Sequence, residues 1–280
     1  MYYTMVVREI FSDCTSNISG KRDTTVFPAN QPLAEVETQS EVWTIPVARL
    51  WAATASFLRR IMSTKESGVP ARAVVDHLLL GAADLETGLS WVEKLTAVRA
   101  VIGGSHPGVG TRNALLSLGS RQYLEIIAPD PTQTAFNFHI DIQRLTRPRL
   151  ITWAALTNDI DSIANYARKA GHQISGPRDG SRVRPDGVVL QWRTLGIANH
   201  LGGPAVEPIP FFIQWAAGSA HPSQDSPQGC ELQSFEIEHP EPASVTQLLN
   251  TLEMEVPVKP GKNVGLIATL RTSMGVLRLT

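Results

Sequence analysis

The sequence predicts a mixed α+β fold built from repeated β-α-β-β-β modules whose curved mixed sheets pair around a cavity. Three observations carry this expectation. Regular strand and helix signals begin abruptly at about residue 72. Beyond that point, three stretches repeat one order of apolar strand, polar turn, helix and further strand. Each helix is then followed by short apolar runs, several of them joined by turn-forming residues, as in hairpins.

The first stretch is "VVDHLLLGAADLETGLSWVEKLTAVRAV". Asp84 is placed to cap its helix, because a carboxylate there accepts from the free amides of the first turn. Leu85, Leu89, Val92 and Thr96 recur at helical spacing, with Leu95 beside them. Strands over 113–119 and 122–129 follow, joined by the turn "GSR". In the second stretch, "LITWAALTNDIDSIANYARKAGHQIS", Asp159 caps and Ile163, Tyr166, Ala167 and Ala170 form the expected stripe. Gly171 stops that helix, since glycine takes the left-handed conformation without a Cβ penalty. Strands over 187–196 and 209–216 come next, the first after the turn-forming "RPDG". In the third stretch, "LQSFEIEHPEPASVTQLLNTLEMEVP", Pro242 suits the first helical turn, where a missing amide hydrogen costs nothing. Val245, Leu248, Leu249 and Leu252 face inward, and a short hairpin over 264–272 and 275–280 follows. This last unit is the smallest and reads as βαββ.

Residues 1–71 lack a sustained period of 2 or 3.6 and carry polar clusters such as "CTSNISGKRD". They are expected to form a poorly ordered extension. Residues 72–223 then hold two modules, and 224–280 a third, divergent one packed on the same domain. Within the extension, "WTIPVARLWAATASFLRRI" (43–61) carries Arg49, Arg59 and Arg60, which suits a short amphipathic helix and not a membrane span. The acidic residues before it, Glu9, Asp13, Asp23, Glu35, Glu37 and Glu41, argue against a transit peptide.

A formal net charge of −1 gives no electrostatic footprint for nucleic acid or an anionic membrane. The two cysteines, Cys14 and Cys230, have no metal or redox spacing, so a disulfide framework is not expected and a cytoplasmic setting is. The glycines of "HPGVGTRN" precede a strand and not a helix, which is no dinucleotide fingerprint, and no nucleotide cofactor is expected. No serine or cysteine stands in a nucleophile-elbow setting.

The residues that carry chemistry lie in the modules. Asp76 and His77 put an ionisable pair at the front of an apolar strand. His77 reads as a general base, a metal ligand or an oriented core histidine, since imidazole titrates near neutrality. Glu125 stands between Leu124 and Ile126, where a carboxylate needs a partner, a cation or a raised pKa. A salt bridge to Arg112 or Arg193 is its structural alternative. His106 and Arg112 bound the shaped "HPGVGTRN" loop and are placed to line a cavity mouth. Arg178, Arg182, Arg184 and Arg193 gather on one hairpin, where guanidinium forks suit an anionic group or solvated pairs with Asp179 and Asp186. Gln214 is a candidate for orienting a ligand, and His221 follows it in a loop.

Residues 74–131, with the Asp-His pair, "HPGVGTRNALL" and "YLEIIAPDP" in that order, resemble the vicinal oxygen chelate superfamily. More narrowly they resemble its glyoxalase-like domain proteins, and "GPRDGSRVRPDGVVLQW" and "PIPFFIQWAAGSAHPS" extend the likeness over most of 72–223. In metal-dependent members the first strand of a module gives a His, its last strand a Glu, and the paired module two further ligands. The resemblance therefore implies His77 and Glu125 as metal-binding and catalytic residues, with zinc, nickel, manganese or iron as the divalent cofactor. From their own placement, His106, Arg112, Arg182, Arg184 and Gln214 are the candidates to stand around a small-molecule substrate. Aligning the helices puts Thr152 opposite His77, Ser234 there in the third unit, and Ile213 or Gln214 opposite Glu125. Two readings stay open. One is a metal-dependent lyase, isomerase or dioxygenase acting on a carbonyl or vicinal-oxygen substrate. The other is a metal-free protein that binds or sequesters a small molecule between the modules. Both expect a small-molecule ligand, no nucleic acid or membrane partner, and a monomer or homodimer.

Overall fold

The computed structural model describes residues 74–119, 121–184 and 186–280, so the extension expected over 1–71, with its amphipathic segment, lies outside the described residues. Strand β1 (Val75–Gly81) leads into helix α1 (Leu85–Thr96), β2 (Val101–His106), β3 (Thr111–Ser117) and β4 (Tyr123–Pro129). The same order recurs in β5 (Arg149–Leu156), α2 (Ile160–Lys169), β6 (Ile174–Val183), β7 (Val189–Ile197) and β8 (Phe211–Trp215). All eight strands form one sheet in the order β2-β3-β4-β1-β5-β8-β7-β6. In each module the last strand returns parallel to the first, and β1 and β5 meet antiparallel at the centre. The two outermost strands come together where Arg182 of β6 donates to the Gly103 carbonyl of β2. The sheet thus curls back on itself.

Local chemistry explains the helices. Asp84 has an extended backbone and its carboxylate accepts the Thr87 amide at 3.0 Å. Asp159 accepts the Ser162 amide at 3.0 Å in the same way. Helix α1 buries Leu85, Leu89, Val92 and Thr96, the stripe its spacing predicts. Helix α2 is rotated from its expected stripe. It buries Ile160, Ala164 and Ala167, while Tyr166 is 47% exposed. Alanines let the helix lie close to the sheet, and the tyrosine keeps its hydroxyl in water.

Strand alternation sorts side chains onto two faces. Leu78, Leu80, Ala114, Leu116, Leu124 and Ile126 join α1 in the main core. The inner face carries Leu79, Ile127 and Ile151 beneath the 130–148 connection, whose Ile140 and Ile142 form a second apolar cluster with them. A fully buried leucine or isoleucine contributes on the order of 2 kcal/mol, so this small cluster fixes the connection in place. His77, Tyr123 and Glu125 fall on the same inner face by parity.

The connection is seated against Gly110 (φ +83°), where an added Cβ would lie 2.8 Å from the Phe136 Cα. Asp130 donates its amide to the Gly110 carbonyl at 2.9 Å, and Asn137 to the Val109 carbonyl at 2.8 Å. Gly110→Ala combines left-handed strain with a backbone collision and is expected to cost about 2–4 kcal/mol. Urea denaturation should show a lower midpoint with an unchanged slope. Gly108→Ala is the control: φ is +77° but the space around it is open, so only the strain of roughly 1–2 kcal/mol applies. Equal losses at the two positions would contradict the seating.

After the short helix α3 (Pro222–Asp225) come β9 (Cys230–His239), α4 (Pro242–Thr251), β10 (Val258–Pro260), β11 (Gly265–Thr272) and β12 (Gly275–Leu279). These strands form a separate four-stranded sheet in the order β10-β9-β11-β12. The element order echoes the modules, but the strand order does not. Here the strand that follows the helix, β10, pairs parallel with β9, and β11 takes the other edge antiparallel. In both modules the strand after the helix is outermost. Pro260 suits the end of a short edge strand, since it has no amide hydrogen for a further ladder bond. Among the described residues no helix is long and apolar enough to cross a membrane.

Candidate functional site

A defect in β1 creates the centre of the site. Val75 pairs with Ala155 but His77 pairs with Ala154, so Asp76 is an extra residue in the ladder. Such a bulge re-aims neighbouring side chains. Here it lets adjacent residues meet, with His77 Nδ1 2.7 Å from Asp76 Oδ1. Asp76 is 0% and His77 2% exposed.

The other carboxylate oxygen, Asp76 Oδ2, accepts from Trp215 Nε1 at 3.1 Å and lies 3.1 Å from His221 Nε2. His221 Nδ1 accepts the Ser223 amide at 3.3 Å, so its proton belongs on Nε2, aimed at Asp76. Burial pushes the Asp76 pKa up, but the hydrogen bonds from His221 and His77 outweigh it and hold the carboxyl well below its ordinary range. An ionised Asp76 requires His77 Nδ1 to be a donor. His77 Nε2 is then left with its lone pair outward. Tyr123 stacks on the His77 ring at 4.4 Å between centroids, and Phe211 meets it edge-on at 5.6 Å. Burial, with Asp76 and Glu125 nearby, raises the Tyr123 hydroxyl well above its usual pKa, so it packs as a neutral ring.

His77 Nε2 faces Glu125 Oε2 at 3.4 Å. Glu125 Oε1 accepts from Asn113 Nδ2 at 2.8 Å, with His106 Nε2 3.7 Å away. Asn113 Nδ2 also lies 3.3 Å from His106 Nε2, and His106 Nδ1 lies 2.8 Å from Thr111 Oγ1. Burial lowers the His106 pKa, against the pull of Glu125, which keeps that ring neutral. A shared proton, a cation or a ligand donor between His77 Nε2 and Glu125 Oε2 would satisfy both atoms. Arg182 completes the surroundings from β6: burial lowers its pKa, with Glu125 acting in the opposite sense.

Of the residues singled out from sequence, His77, Glu125 and His106 meet, and Arg182 lies across from them. Arg112, Arg184 and Gln214 are engaged elsewhere. Arg112 reaches Asp84 at 3.9 Å, and Arg184 pairs with Asp225 at 2.6 Å and Asp186 at 2.9 Å. Gln214 holds the start of α2, accepting the Ile160 amide at 3.1 Å and donating to the Asn158 carbonyl at 2.8 Å. Arg193 pairs with Asp161 at 2.7 Å and not with Glu125. Asn113 went unnoticed in the sequence, although it shares its strand face with Thr111 beside β4. The engagement of His221 and Trp215 with Asp76 had no local signal.

The ligand set that the resemblance implies fits this site poorly. Leu79 pairs with Glu125 in the first module, and Ala154, 75 positions later, pairs with Phe211 in the second. The β1 and β5 ends, Gly81 and Leu156, are also 75 apart, as are the helix starts Leu85 and Ile160. The counterpart of Glu125 is therefore Phe211, neither Ile213 nor Gln214, and that of His77 is Thr152. The second module brings no imidazole or carboxylate to either place. Among the described residues no group of three or more His, Cys, Asp or Glu is arranged to hold a metal ion. A surface hollow of about 670 Å³ lies along α4, lined by Pro242, Ala243, Thr246, Gln247, Asn250 and Thr251. No titratable side chain lines it, so it offers no acid–base group.

The chain belongs to the glyoxalase-like domain family, which it matches over residues 75–253. Fold and family together make it a glyoxalase-like domain protein. A hypothetical protein from Staphylococcus aureus shares the fold, with a TM-score of 0.52 and 17% identity over 73% of this chain and 84% of that one. Methylmalonyl-CoA epimerase from Mycobacterium tuberculosis is similar at a TM-score of 0.36 and 19% identity, over 52% of this chain and 91% of its own. No curated protein matches the sequence.

Proposed function

We propose that this protein binds a small carbonyl compound on the inner face of its first module and moves a proton on it, as an isomerase or lyase does. The observation that carries this reading is the buried Asp76–His77 pair, whose open Nε2 faces Glu125 at 3.4 Å. His77 Nε2 takes a proton from the carbon beside the carbonyl. Asp76 holds the ring in the required tautomer and stabilises the imidazolium that forms. Glu125 stands where it can accept that proton from the ring or return it to the substrate. Positioned acid–base catalysis of this kind is worth about 10²–10⁴-fold. The short donor set supports a route that needs no resident metal.

Proton NMR in D₂O tests it by following C–H exchange in α-ketoaldehydes, α-hydroxy ketones and 2-oxo acids. Wild type is expected to accelerate exchange in at least one class, and His77→Gln and Glu125→Gln to lose about 100-fold or more. Chelator treatment is expected to change nothing. Undiminished exchange in His77→Gln, or no exchange anywhere, defeats the reading. Exchange lost on stripping and restored by zinc, nickel, manganese or iron replaces it with the metal-dependent one.

A further inference from the structure

A buried arginine normally has a carboxylate beside it, because an unpaired buried charge is costly. Arg182 is 5% exposed. Its one hydrogen bond among the described residues is to the Gly103 carbonyl, and no carboxylate there lies within ion-pair distance of it. The remaining N–H groups of its fork make no hydrogen bond to the described residues and, unlike Asn113 Oδ1, are not sealed from solvent.

Beside it is the opposite deficiency. Asn113 is 3% exposed, its amide nitrogen is committed to Glu125, and its Oδ1 has no partner. Turning the amide round would not cure this, since Oδ1 would then confront Glu125 Oε1. The two groups adjoin: a Cβ added to Gly103 would collide with both Asn113 Oδ1 and Arg182 Nη1. Unused donors on a cation and an unused acceptor therefore stand side by side, next to Glu125 and His77.

We propose that Arg182 and Asn113 form a recognition site for a small hydroxy acid. The carboxylate takes the open side of the guanidinium fork, which matches its two oxygens. The neighbouring hydroxyl donates to Asn113 Oδ1. A plain carboxylic acid leaves that acceptor orphaned, and an ester leaves the cation unpaired. The location beside His77 rests on the proton-transfer reading, but the binding itself does not need a reactive His77.

Calorimetric titration of the full chain with lactate, propionate, methyl lactate and inorganic phosphate tests this. Lactate is expected to bind, with propionate and methyl lactate each weaker by about tenfold or more. Arg182→Gln should weaken lactate by at least about tenfold, Arg182→Lys by less, and both should keep the wild-type circular dichroism. Asn113→Leu should bring lactate down to the level of propionate. Wild type that binds lactate but accelerates no exchange fails the catalytic reading alone. No lactate binding, unchanged lactate affinity in a folded Arg182→Gln protein, or tighter binding of methyl lactate or phosphate would each overturn the hydroxy-acid site.

Discussion

Asp76→Asn is expected to lower stability by about 3 kcal/mol and to slow proton exchange by roughly 10³-fold or more. Asp76 receives His77 Nδ1 on one oxygen and both His221 Nε2 and Trp215 Nε1 on the other. An asparagine keeps one acceptor oxygen and turns the other position into a donor. If its oxygen faces His221 and Trp215, its nitrogen faces His77 Nδ1. That ring can then accept only by moving its proton to Nε2, where it points at Glu125 and can no longer act as a base. If the amide is turned the other way, two donors face a third at a side chain that is 0% exposed. Either arrangement damages the network, and the first removes the base while leaving the ring in place. Nitrogen-15 NMR of the His77 ring distinguishes the tautomers directly. A protein with wild-type tautomer and wild-type exchange would show that Asp76 does not orient His77.

The same carboxyl gives a pH signature. In the folded chain its pKa is held below the ordinary value, whereas in the unfolded chain it titrates near 3.9. A depressed carboxyl pKa contributes stability that is present above the unfolded value and is lost as pH falls through it toward the folded one. Wild type should therefore lose stability between about pH 5 and the acid limit. Asp76→Asn, already less stable at neutrality, should lose less over that range, so the two stability curves converge as the solution becomes acid.

What could be read from sequence was local or periodic. The caps at Asp84 and Asp159 are single-residue chemistry, and each is found bonded to the first-turn amide expected of it. Parity groups His77 with Leu79 and Glu125 with Ile127 within each strand, but the pairing of Leu79 with Glu125 is what puts the two groups on one face. Pairing choices were less legible. Nothing in "PVKPG" announces that Val258–Pro260 will lie against β9, because that depends on which sheet edge is free when the crossover helix has packed. Phe211 as the counterpart of Glu125 needed the strand register, since the connections before β4 and β8 differ in length. The hub at Asp76 needed two non-local facts, the bulge in β1 and the arrival of His221 from 145 positions away. Helix α2 shows a third kind of difficulty. Its apolar stripe and its buried face differ because the sheet accepts small alanines more closely than a tyrosine ring.

Trp153→Ala is expected to be the most destabilising single substitution on the helix side of the sheet, at about 4–5 kcal/mol. Trp153 is fully buried in the centre of β5, opposite Leu78 of β1. Its ring lies 5.0 Å from that of Phe235 in β9, so it packs the eight-stranded sheet against the four-stranded one. Its Nε1 donates to the Pro208 carbonyl at 2.8 Å, which the truncation leaves without that donor. Trp153→Phe keeps most of the volume and should cost about 1–3 kcal/mol, largely the lost hydrogen bond and a small void. Urea denaturation of Trp153→Ala, Phe235→Ala and the double variant separates burial from contact. If the two rings stabilise each other, the double variant loses less than the sum of the singles by about 0.5–1.5 kcal/mol. Strict additivity would mean that each ring fills its own sheet's core without joining the two. The number of transitions then decides how far the sheets depend on one another. A single transition moved to lower urea in every variant marks one cooperative unit, in which the distant β9 sheet supports the strand pair that holds His77. Two transitions in Trp153→Ala, with exchange at His77 preserved in the more stable one, would instead make the first two modules sufficient for the site.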